Sequence, residues 1–101
     1  SMQLSEKNIE AIKALCIKHR VKDLFAFGSI TRDDFKKESD IDLLVDFNEN
    51  DPLKYSDLYF NLKEKLEVLL KRKVDLLESR AIKNQFLRKE LDETKVRIYG
   101  Q

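Results

Sequence analysis

Residues 27–45, with the sequence FGSITRDDFKKESDIDLLV, decide the fold of this chain. An apolar run ends at Gly28 and Ser29, a densely charged segment follows, and a second apolar run carries Asp40 and Asp42 near its start. Glycine at the end of a strand lets the backbone approach a ligand closely, because it lacks a Cβ atom. Two acids spaced i and i+2 are unexpected in a strand that otherwise resembles core, and they require an explanation.

Alternation along the second run divides its side chains between two faces. One face is wholly apolar and suited to packing on helices, with Ile41, Leu43, Val45 and Phe47. The other face carries Asp40, Asp42, Leu44 and Asp46. On an extended strand the first two of these acids lie about 6.6 Å apart.

Like charges on one face repel each other and lose hydration when covered, so they favour a position at the end of the sheet and a bound cation. Magnesium suits such hard oxygen ligands, and proteins commonly hold it by one or two carboxylates together with substrate phosphates. For two acids considered alone, a solvated strand face is the more common explanation. The pattern around Gly28 and Ser29 favours the metal.

The first half of the chain predicts one helix and two strands. Ser5 is a typical N-cap, and helical spacing of apolar residues continues to about His19, which suits a C-terminal cap. Cys16 lies in the apolar stripe of this helix, so buried packing is expected rather than chemistry. Two short apolar runs predict strands, Val21–Phe27 and Ile41–Phe47. Between them, residues 29–37 predict a loop or a short exposed helix.

The second half predicts two helices and two more strands. Asp51 before Pro52 is a typical helix start, and a leucine stripe makes this helix the longest. Another helix is expected to begin at Ser79 and to face inward with Ile82, Phe86, Leu87 and Leu91. Short strands are expected at residues 74–77 and around Val96 and Ile98. Strands alternating with helices indicate an α/β (α+β) fold in which helices cover a small sheet.

Length, composition and charge exclude several classes of protein. With 101 residues the chain suits a single domain, which we assign to residues 3–101, because Ser1-Met2 resembles the remnant of a cleaved tag. A composition of 42% hydrophobic and 39% charged residues is globular, and a net charge of +1 predicts no general binding to nucleic acid. One cysteine suits the reducing cytoplasm, and neither a membrane-spanning run nor a signal peptide is expected.

The spacing of Gly28, Ser29, Asp40 and Asp42 is G-S-x10-D-x-D, with an apolar strand on each side. This arrangement resembles the signature of the nucleotidyltransferase superfamily that includes DNA polymerase beta. The small size and the residues FGS…R…SDIDLLVDF resemble its minimal nucleotidyltransferases, the MNT antitoxin-like proteins. The resemblance covers most of the chain, since the VDLL segment at residues 74–77 and the final LDETKVRIYG segment also match these domains.

The resemblance implies a polymerase beta-like fold with a small mixed sheet, and it implies roles for particular residues. Gly28 and Ser29 would bind the triphosphate of the nucleotide. Asp40 and Asp42 would bind Mg²⁺, with two ions expected. Asp75 would complete the carboxylate set, either as a metal ligand or as general base for an attacking hydroxyl.

The charged segment departs from the family pattern. Many relatives have Arg-Gly where this chain has Arg32-Asp33. Arg32 matches the family arginine, and it either contacts nucleotide phosphate or forms a solvated ion pair with Asp33 or Asp34. The basic run at residues 71–73 reads as a solvated turn or helix end rather than a phosphate site.

The function implied by the resemblance is that of an antitoxin. Relatives are commonly encoded beside a HEPN-domain toxin, and some transfer AMP from ATP to a tyrosine of that toxin. We therefore expect an Mg²⁺-dependent adenylyltransferase that uses ATP and acts on a HEPN protein. The alternative is a catalytically inactive antitoxin that acts by binding alone, and Asp33 in place of glycine leaves it open. Transfer to a small molecule is less expected, since relatives with that activity usually carry an added domain.

Overall fold

The structure, a computed structural model, describes residues 2–101. Its elements follow in the order α1 (Glu6–Lys18), β1 (Val21–Phe27), a 3-10 turn (Gly28–Thr31), β2 (Ile41–Phe47), α2 (Pro52–Leu70), β3 (Val74–Glu78), a second 3-10 turn (Ser79–Ala81), α3 (Gln85–Thr94) and β4 (Val96–Tyr99). The interpretation of Ser1 as part of a tag remnant lies outside the described residues, whereas Met2 packs against the core. Across residues 2–101, none of the helices has the length and apolar composition needed to cross a membrane.

Across the same residues, four strands form one mixed sheet in the order β3-β2-β1-β4. Strand β1 is antiparallel to both β2 and β4, while β2 and β3 run parallel. The register places Asp42 of β2 opposite Phe27 of β1 on one side and opposite Asp75 of β3 on the other. The predicted α/β architecture, with helices on a small mixed sheet, is confirmed.

Helices α1 and α2 contact each other and the sheet, and they bury the main core. Its members come from all of these elements and include Ile12, Cys16, Leu24, Ala26, Leu43, Val45, Leu62 and Leu66. Burial raises the pKa of the Cys16 thiol to about 12, so the thiol stays protonated and packs as a small apolar group. The expectation of buried packing for this cysteine is confirmed.

Local hydrogen bonds confirm three predicted helix caps. The hydroxyl of Ser5 accepts from the backbone N–H three residues later at 3.1 Å, and the carboxylate of Asp51 does the same at 3.0 Å. His19 is the C-cap of α1, and both its backbone N–H and its ring Nδ1 lie within 3.0 Å of the Leu15 carbonyl oxygen. These bonds satisfy main-chain groups that the helix itself leaves unpaired.

The last helix begins later than predicted. Asn84, rather than Ser79, is the N-cap of α3, because its Oδ1 accepts from the N–H groups of Phe86 and Leu87 at 2.9 and 3.0 Å. Ser79 instead opens the second 3-10 turn. The expectation that Phe86 and Leu87 face inward is wrong, since they are 87% and 41% exposed, whereas Leu91 is buried. The reason is that α3 is buried in its second half, at Leu91, and not in its first turn.

The middle of the sheet face opposite the main core is also buried from solvent. Leu44, which alternation places with the acids of β2, is only 1% exposed and lies outside the main core cluster, as does Leu91. Just after α3, Lys95 Nζ lies 4.4 Å from the centre of the Phe25 ring on β1. The face that carries Asp42 is therefore apolar in its middle and polar at its end.

Side chains of α2 occupy part of the outer edge of β3. Glu67 Oε2 accepts from the Val74 N–H at 2.8 Å, and the Tyr59 hydroxyl donates to the Leu76 carbonyl at 2.6 Å. These main-chain groups point away from β2, because alternate residues of an edge strand direct both groups outward. Two positions on this edge are thus hydrogen-bonded within the chain.

Candidate active site

Asp42 and Asp75 lie side by side at one end of the sheet. The parallel register of β2 and β3 pairs them directly, and alternation directs both side chains to the face opposite the main core. Neighbouring strands are about 4.8 Å apart. Asp42 is half-buried and Asp75 is exposed, so one carboxylate forms the floor of the site and the other faces solvent.

Asp40 completes a group of three acids. It is exposed and lies in the connection immediately before β2, not in the strand itself. Burial, followed by the negative charges of Asp75 and Asp40, raises the pKa of Asp42 above its ordinary value. The charges of Asp75 and Asp40 therefore both act on Asp42, as in groups assembled around a cation.

Gly28 lies directly against Asp42. Its φ of +72° is in the left-handed region that favours glycine, and a Cβ added at this position would collide with Asp42 Oδ2. The turn that follows brings Ser29 to the same end of the sheet, and it is anchored by the fully buried Ile30. Thr31, which the sequence did not single out, closes the turn because its hydroxyl donates to the Gly28 carbonyl at 2.7 Å.

Arg32 forms an ion pair at the rim of this site. Its Nε lies 3.1 Å from Asp34 Oδ1 and its Nη2 lies 3.3 Å from Asp34 Oδ2, and both side chains are 59% exposed. The hydrogen bond from Arg32 lowers the pKa of Asp34. The positive charge of Arg32 also acts on Asp42, whose pKa it lowers slightly against the larger raising effects. The structure thus shows the ion pair, and the contact to phosphate stays a prediction.

Arg72 has a structural role that the sequence did not reveal. Its Nη1 donates to the carbonyl oxygens of Lys36 and Ser39, both at 2.8 Å. Its guanidinium carbon lies 4.3 Å from the centre of the Phe35 ring. The interpretation of the basic run at residues 71–73 as a purely solvated helix end is therefore wrong for Arg72. No local pattern could have shown this, because the carbonyl partners lie 36 and 33 residues earlier in the chain.

The chemistry of these acids fits magnesium bound together with a nucleotide. Within residues 2–101, no three Asp, Glu, His or Cys side chains converge tightly enough to enclose a metal ion by themselves. Magnesium does not require such an enclosure, since it usually keeps several waters and binds through one or two carboxylates and substrate phosphates. Asp42 and Asp75, adjacent in register, supply the two carboxylates, and Asp40 supplies another beside them.

A groove of about 450 Å³ extends from Asp75 between β3 and the start of α3. Most of its lining is apolar or aromatic, including Tyr59, Leu76, Leu77, Ala81, Ile82 and Leu87. Burial, and then the charges of Glu78 and Asp75, raises the pKa of the Tyr59 hydroxyl. The groove therefore joins an apolar surface to one of the three carboxylates.

Two archaeal proteins are similar in sequence to this chain. "Putative protein adenylyltransferase MJ1379" of Methanocaldococcus jannaschii is 41% identical over 81 residues, which cover 80% of each chain. "Protein adenylyltransferase MntA" of Thermococcus cleftensis is 33% identical over 84 residues, which cover 75% of this chain and 82% of that one. Both matches extend over most of the two proteins compared.

Solved structures share the fold. A structure described as that of a "putative minimal nucleotidyltransferase" superposes with a TM-score of 0.75 at 32% identity, covering 89% of this chain and 88% of the other. A second structure is that of a tri-AMPylated HEPN toxin of Shewanella oneidensis in complex with MNT antitoxin. One of its chains superposes with a TM-score of 0.68 at 21% identity, covering 97% of this chain and 74% of that one. A toxin–antitoxin structure with AMP-PNP superposes with a TM-score of 0.72 at 23% identity, covering 97% of this chain and 75% of that one. The last two identities are low enough to show the fold alone.

The comparison with protein families agrees with these likenesses. Residues 9–98 match the family described as the nucleotidyltransferase domain, a range that runs from α1 to β4 and includes all three acids. The predicted polymerase beta-like fold and the predicted class of enzyme are confirmed at this level. The chain therefore belongs to the nucleotidyltransferase domain family.

Proposed function

We propose that this protein is an Mg²⁺-dependent adenylyltransferase that transfers AMP from ATP to a tyrosine of a HEPN-domain toxin and thereby neutralises the toxin. The observation that carries the proposal is the pairing of Asp42 with Asp75, next to Gly28, in a chain of this family. Relatives named as protein adenylyltransferases, together with the fold shared with MNT antitoxin bound to an AMPylated HEPN toxin, support the acceptor class.

In this proposal the end of the sheet binds Mg²⁺·ATP. Gly28 allows the triphosphate to approach the main chain, and Ser29 offers its N–H and hydroxyl to phosphate oxygens. Asp40, Asp42 and Asp75 would hold the metal ions. Magnesium, when bound, neutralises the charge on the triphosphate and on the departing pyrophosphate. A nucleotide substrate is supported by the shared fold with the structure that contains AMP-PNP.

The acceptor is proposed to approach from the groove beside Asp75. The acceptor hydroxyl oxygen forms a bond to the α-phosphorus, the bond from that phosphorus to the bridging oxygen breaks, and pyrophosphate leaves. Asp75, being exposed at the end of the groove, is suited to orient the hydroxyl and to take up its proton. The apolar lining of the groove suits the ring of a tyrosine side chain.

The proposal is tested by incubating the protein and a HEPN protein from the same genome with Mg²⁺ and ATP labelled at the α-phosphate. We expect label on the HEPN protein, and its loss with Asp42→Asn or Asp75→Asn. Asp46→Asn is the matched control, since Asp46 lies on the same strand and face but pairs with Arg80 at 2.8 Å, away from the site. Absence of label with the wild type, or label that persists in Asp42→Asn, would contradict the proposal.

A second candidate is an inactive antitoxin that neutralises by binding alone. The ion pair between Arg32 and Asp34 favours it, because it occupies the arginine that the enzyme would direct at phosphate. Co-expression with the toxin separates the candidates. Under the enzyme proposal Asp42→Asn abolishes protection from the toxin, whereas under the binding proposal this variant protects as well as the wild type does.

Three wider expectations belong with this proposal. Residues 3–101 are proposed to form one domain, because the core cluster draws on α1, α2 and the sheet together. The protein is proposed to work in the cytoplasm, where ATP is abundant and a free cysteine such as Cys16 stays reduced. With a net charge of +1, it is not expected to bind nucleic acid generally.

A further inference from the structure

The charged segment between the first 3-10 turn and β2 is held by one side chain of another element. Residues 32–40 form turns and bends, and Arg72 bonds the carbonyl oxygens of Lys36 and Ser39 from the end of α2. Within this turn the Lys36 N–H donates to Ser39 Oγ at 3.0 Å, and the Ser39 N–H donates to the Lys36 carbonyl at 3.1 Å. The Arg72 guanidinium carbon also lies 4.3 Å from the centre of the Phe35 ring, so a cation–π contact helps to hold the guanidinium in position.

These contacts anchor both peptide groups of Asp40. On its N-terminal side, the Ser39 carbonyl accepts from Arg72 at 2.8 Å. On its C-terminal side, the Ile41 N–H donates to the Lys73 carbonyl at 3.0 Å. A residue whose two flanking peptides are both fixed has little freedom in φ and ψ, so the direction of its side chain is also restricted.

We propose that Arg72 is a positioning residue that holds the carboxylate of Asp40 beside Asp42 and Asp75, so that the three acids bind Mg²⁺·ATP together. The metal part of this inference rests on the proposed function. Ordering an exposed charged segment costs conformational entropy, and an anchor present in the free protein removes that cost from the binding step. Arg72 and Lys73, in the connection that leads into β3, thus hold the main chain around Asp40, and the strand that follows them carries Asp75.

Arginine suits this role better than lysine. Its Nη1 donates to two carbonyl oxygens while the rest of the guanidinium lies over the ring of Phe35. The ammonium group of lysine keeps the charge and can bond the carbonyl oxygens, but it lacks the flat surface for stacking. Arg72→Lys is therefore expected to retain part of the function that Arg72→Ala loses.

The test uses Arg72→Ala and Arg72→Lys, with Arg88→Ala as the matched control. Arg88 also donates to main-chain carbonyls, at 2.6 Å to Ser79, but it holds the second 3-10 turn rather than the segment before Asp40. Amide hydrogen exchange of residues 36–41 is measured in the free protein, and the affinity for Mn²⁺·ATP is measured by electron paramagnetic resonance. Urea unfolding of each variant shows that it is folded under the assay conditions.

Arg72→Ala is expected to speed exchange in residues 36–41 and to weaken Mn²⁺·ATP binding about 10-fold, the lower end of the range for supporting residues of metal ligands. Arg72→Lys is expected to be intermediate in both measurements, and Arg88→Ala to match the wild type in both. The proposal is overturned if Arg72→Ala binds Mn²⁺·ATP as the wild type does, or if Arg88→Ala weakens binding equally.

Failure of the proposed function would appear differently. A wild type that binds no Mn²⁺·ATP contradicts the adenylyltransferase proposal, and the exchange data then decide about Arg72 alone. Faster exchange of residues 36–41 in Arg72→Ala, with Arg88→Ala unchanged, supports the role of Arg72 in fixing the main chain around Asp40. Equal exchange in the wild type and Arg72→Ala overturns the positioning role of Arg72.

Discussion

Asp42 meets two opposing requirements at the scale of a single residue. Its carboxylate must be ionised to bind a cation, yet it is half-buried and lies near the negative charges of Asp75 and Asp40, which together raise its pKa. A group whose pKa is raised on folding contributes stability while it is protonated, and that stability is lost as the pH rises through the raised pKa. At neutral pH without a cation, Asp42 therefore lowers the stability of the fold.

Asp42→Asn is predicted to stabilise the free protein at pH 7 while abolishing the proposed transfer of AMP. Removing the charge of Asp42, on which the charges of Asp75 and Asp40 both act, should raise the free energy of unfolding by about 0.5 kcal/mol, as is typical of exposed charge pairs. The gain should shrink as the pH falls through the raised pKa of Asp42, because the wild-type carboxyl becomes neutral there. Urea unfolding at several pH values measures the gain in the free energy of unfolding and its decrease at lower pH.

The contrast with Asp46 provides the control for this prediction. Asp46 lies on the same strand but accepts two bonds from Arg80, at 2.8 and 3.0 Å. Asp46→Asn should therefore lower the free energy of unfolding at pH 7. If both asparagine variants were destabilised alike, repulsion among the site acids would not be the cause.

Gly28→Ala is predicted to impair the site more than the fold. The new Cβ would collide with Asp42 Oδ2, the movable end of a side chain, and the clash is relieved when that carboxylate turns away. The left-handed backbone at φ +72° adds about 1 kcal/mol of strain for alanine. Mn²⁺·ATP binding should fall at least 10-fold while thermal unfolding remains cooperative. Binding close to that of the wild type would show that Asp42 keeps its position.

At the scale of elements, α3 is the least firmly integrated helix. It begins with an exposed turn, and it is held by the burial of Leu91 and by the bonds from Arg88 to the second 3-10 turn. Its first turn forms part of the groove beside Asp75. The geometry of that groove thus depends on where the helix starts.

Asn84→Ala is predicted to lower the free energy of unfolding by about 1 kcal/mol, since its Oδ1 caps two N–H groups of α3. Hydrogen exchange at the amides of Phe86 and Leu87 should rise selectively. Asn61→Ala is the matched control, because Asn61 is exposed within α2 and alanine favours helix there. Equal destabilisation by both changes would rule out the cap as the cause.

The strands were predictable from the sequence because local signals bound them. Val21–Phe27 and Ile41–Phe47 are short apolar runs between polar segments, and their predicted bounds agree with the structure to the residue. The start of α3 was not predictable in this way. Ser79 and Asn84 are both good N-caps, and the choice between them depends on the turn after β3 and on the burial of Leu91.

The candidate site was predictable to a similar extent. A glycine at the end of one strand and acids at the start of the next meet when two strands pair antiparallel, so the spacing of Gly28 and Asp42 implies their proximity. The proximity of Asp75 required the resemblance, because it depends on a parallel strand that follows a long helix. The contacts of Arg72 were beyond sequence reasoning, since they exist only in the folded chain.

At the scale of the whole molecule, the site and the core are separate. The chain has a radius of gyration of 13.0 Å, and the main core between the sheet and helices α1 and α2 contains none of the three acids. Substitutions at the acids should therefore leave the fold intact. Ligand binding, in turn, should add directly to global stability.

Mg²⁺·ATP at about 100 times its dissociation constant is predicted to raise the free energy of unfolding by about 2.7 kcal/mol. The melting temperature of the wild type should rise by several degrees, and ATP with EDTA should give a much smaller increase. Asp46→Asn should respond as the wild type does, whereas Asp42→Asn and Asp75→Asn should not. Full stabilisation of Asp75→Asn would remove Asp75 from the metal site and leave it a role in proton transfer alone.

The bonds of Glu67 and Tyr59 to the edge of β3 have a consequence for assembly. A free strand edge serves as a template on which another chain, or a second copy, can extend the sheet, and this is a common route to fibrils. Here, the edge next to Asp75 already carries bonds from α2 at Val74 and Leu76. A partner that reaches this side of the molecule would therefore find two outward main-chain groups of β3 already bonded, which disfavours extension of the sheet at this edge.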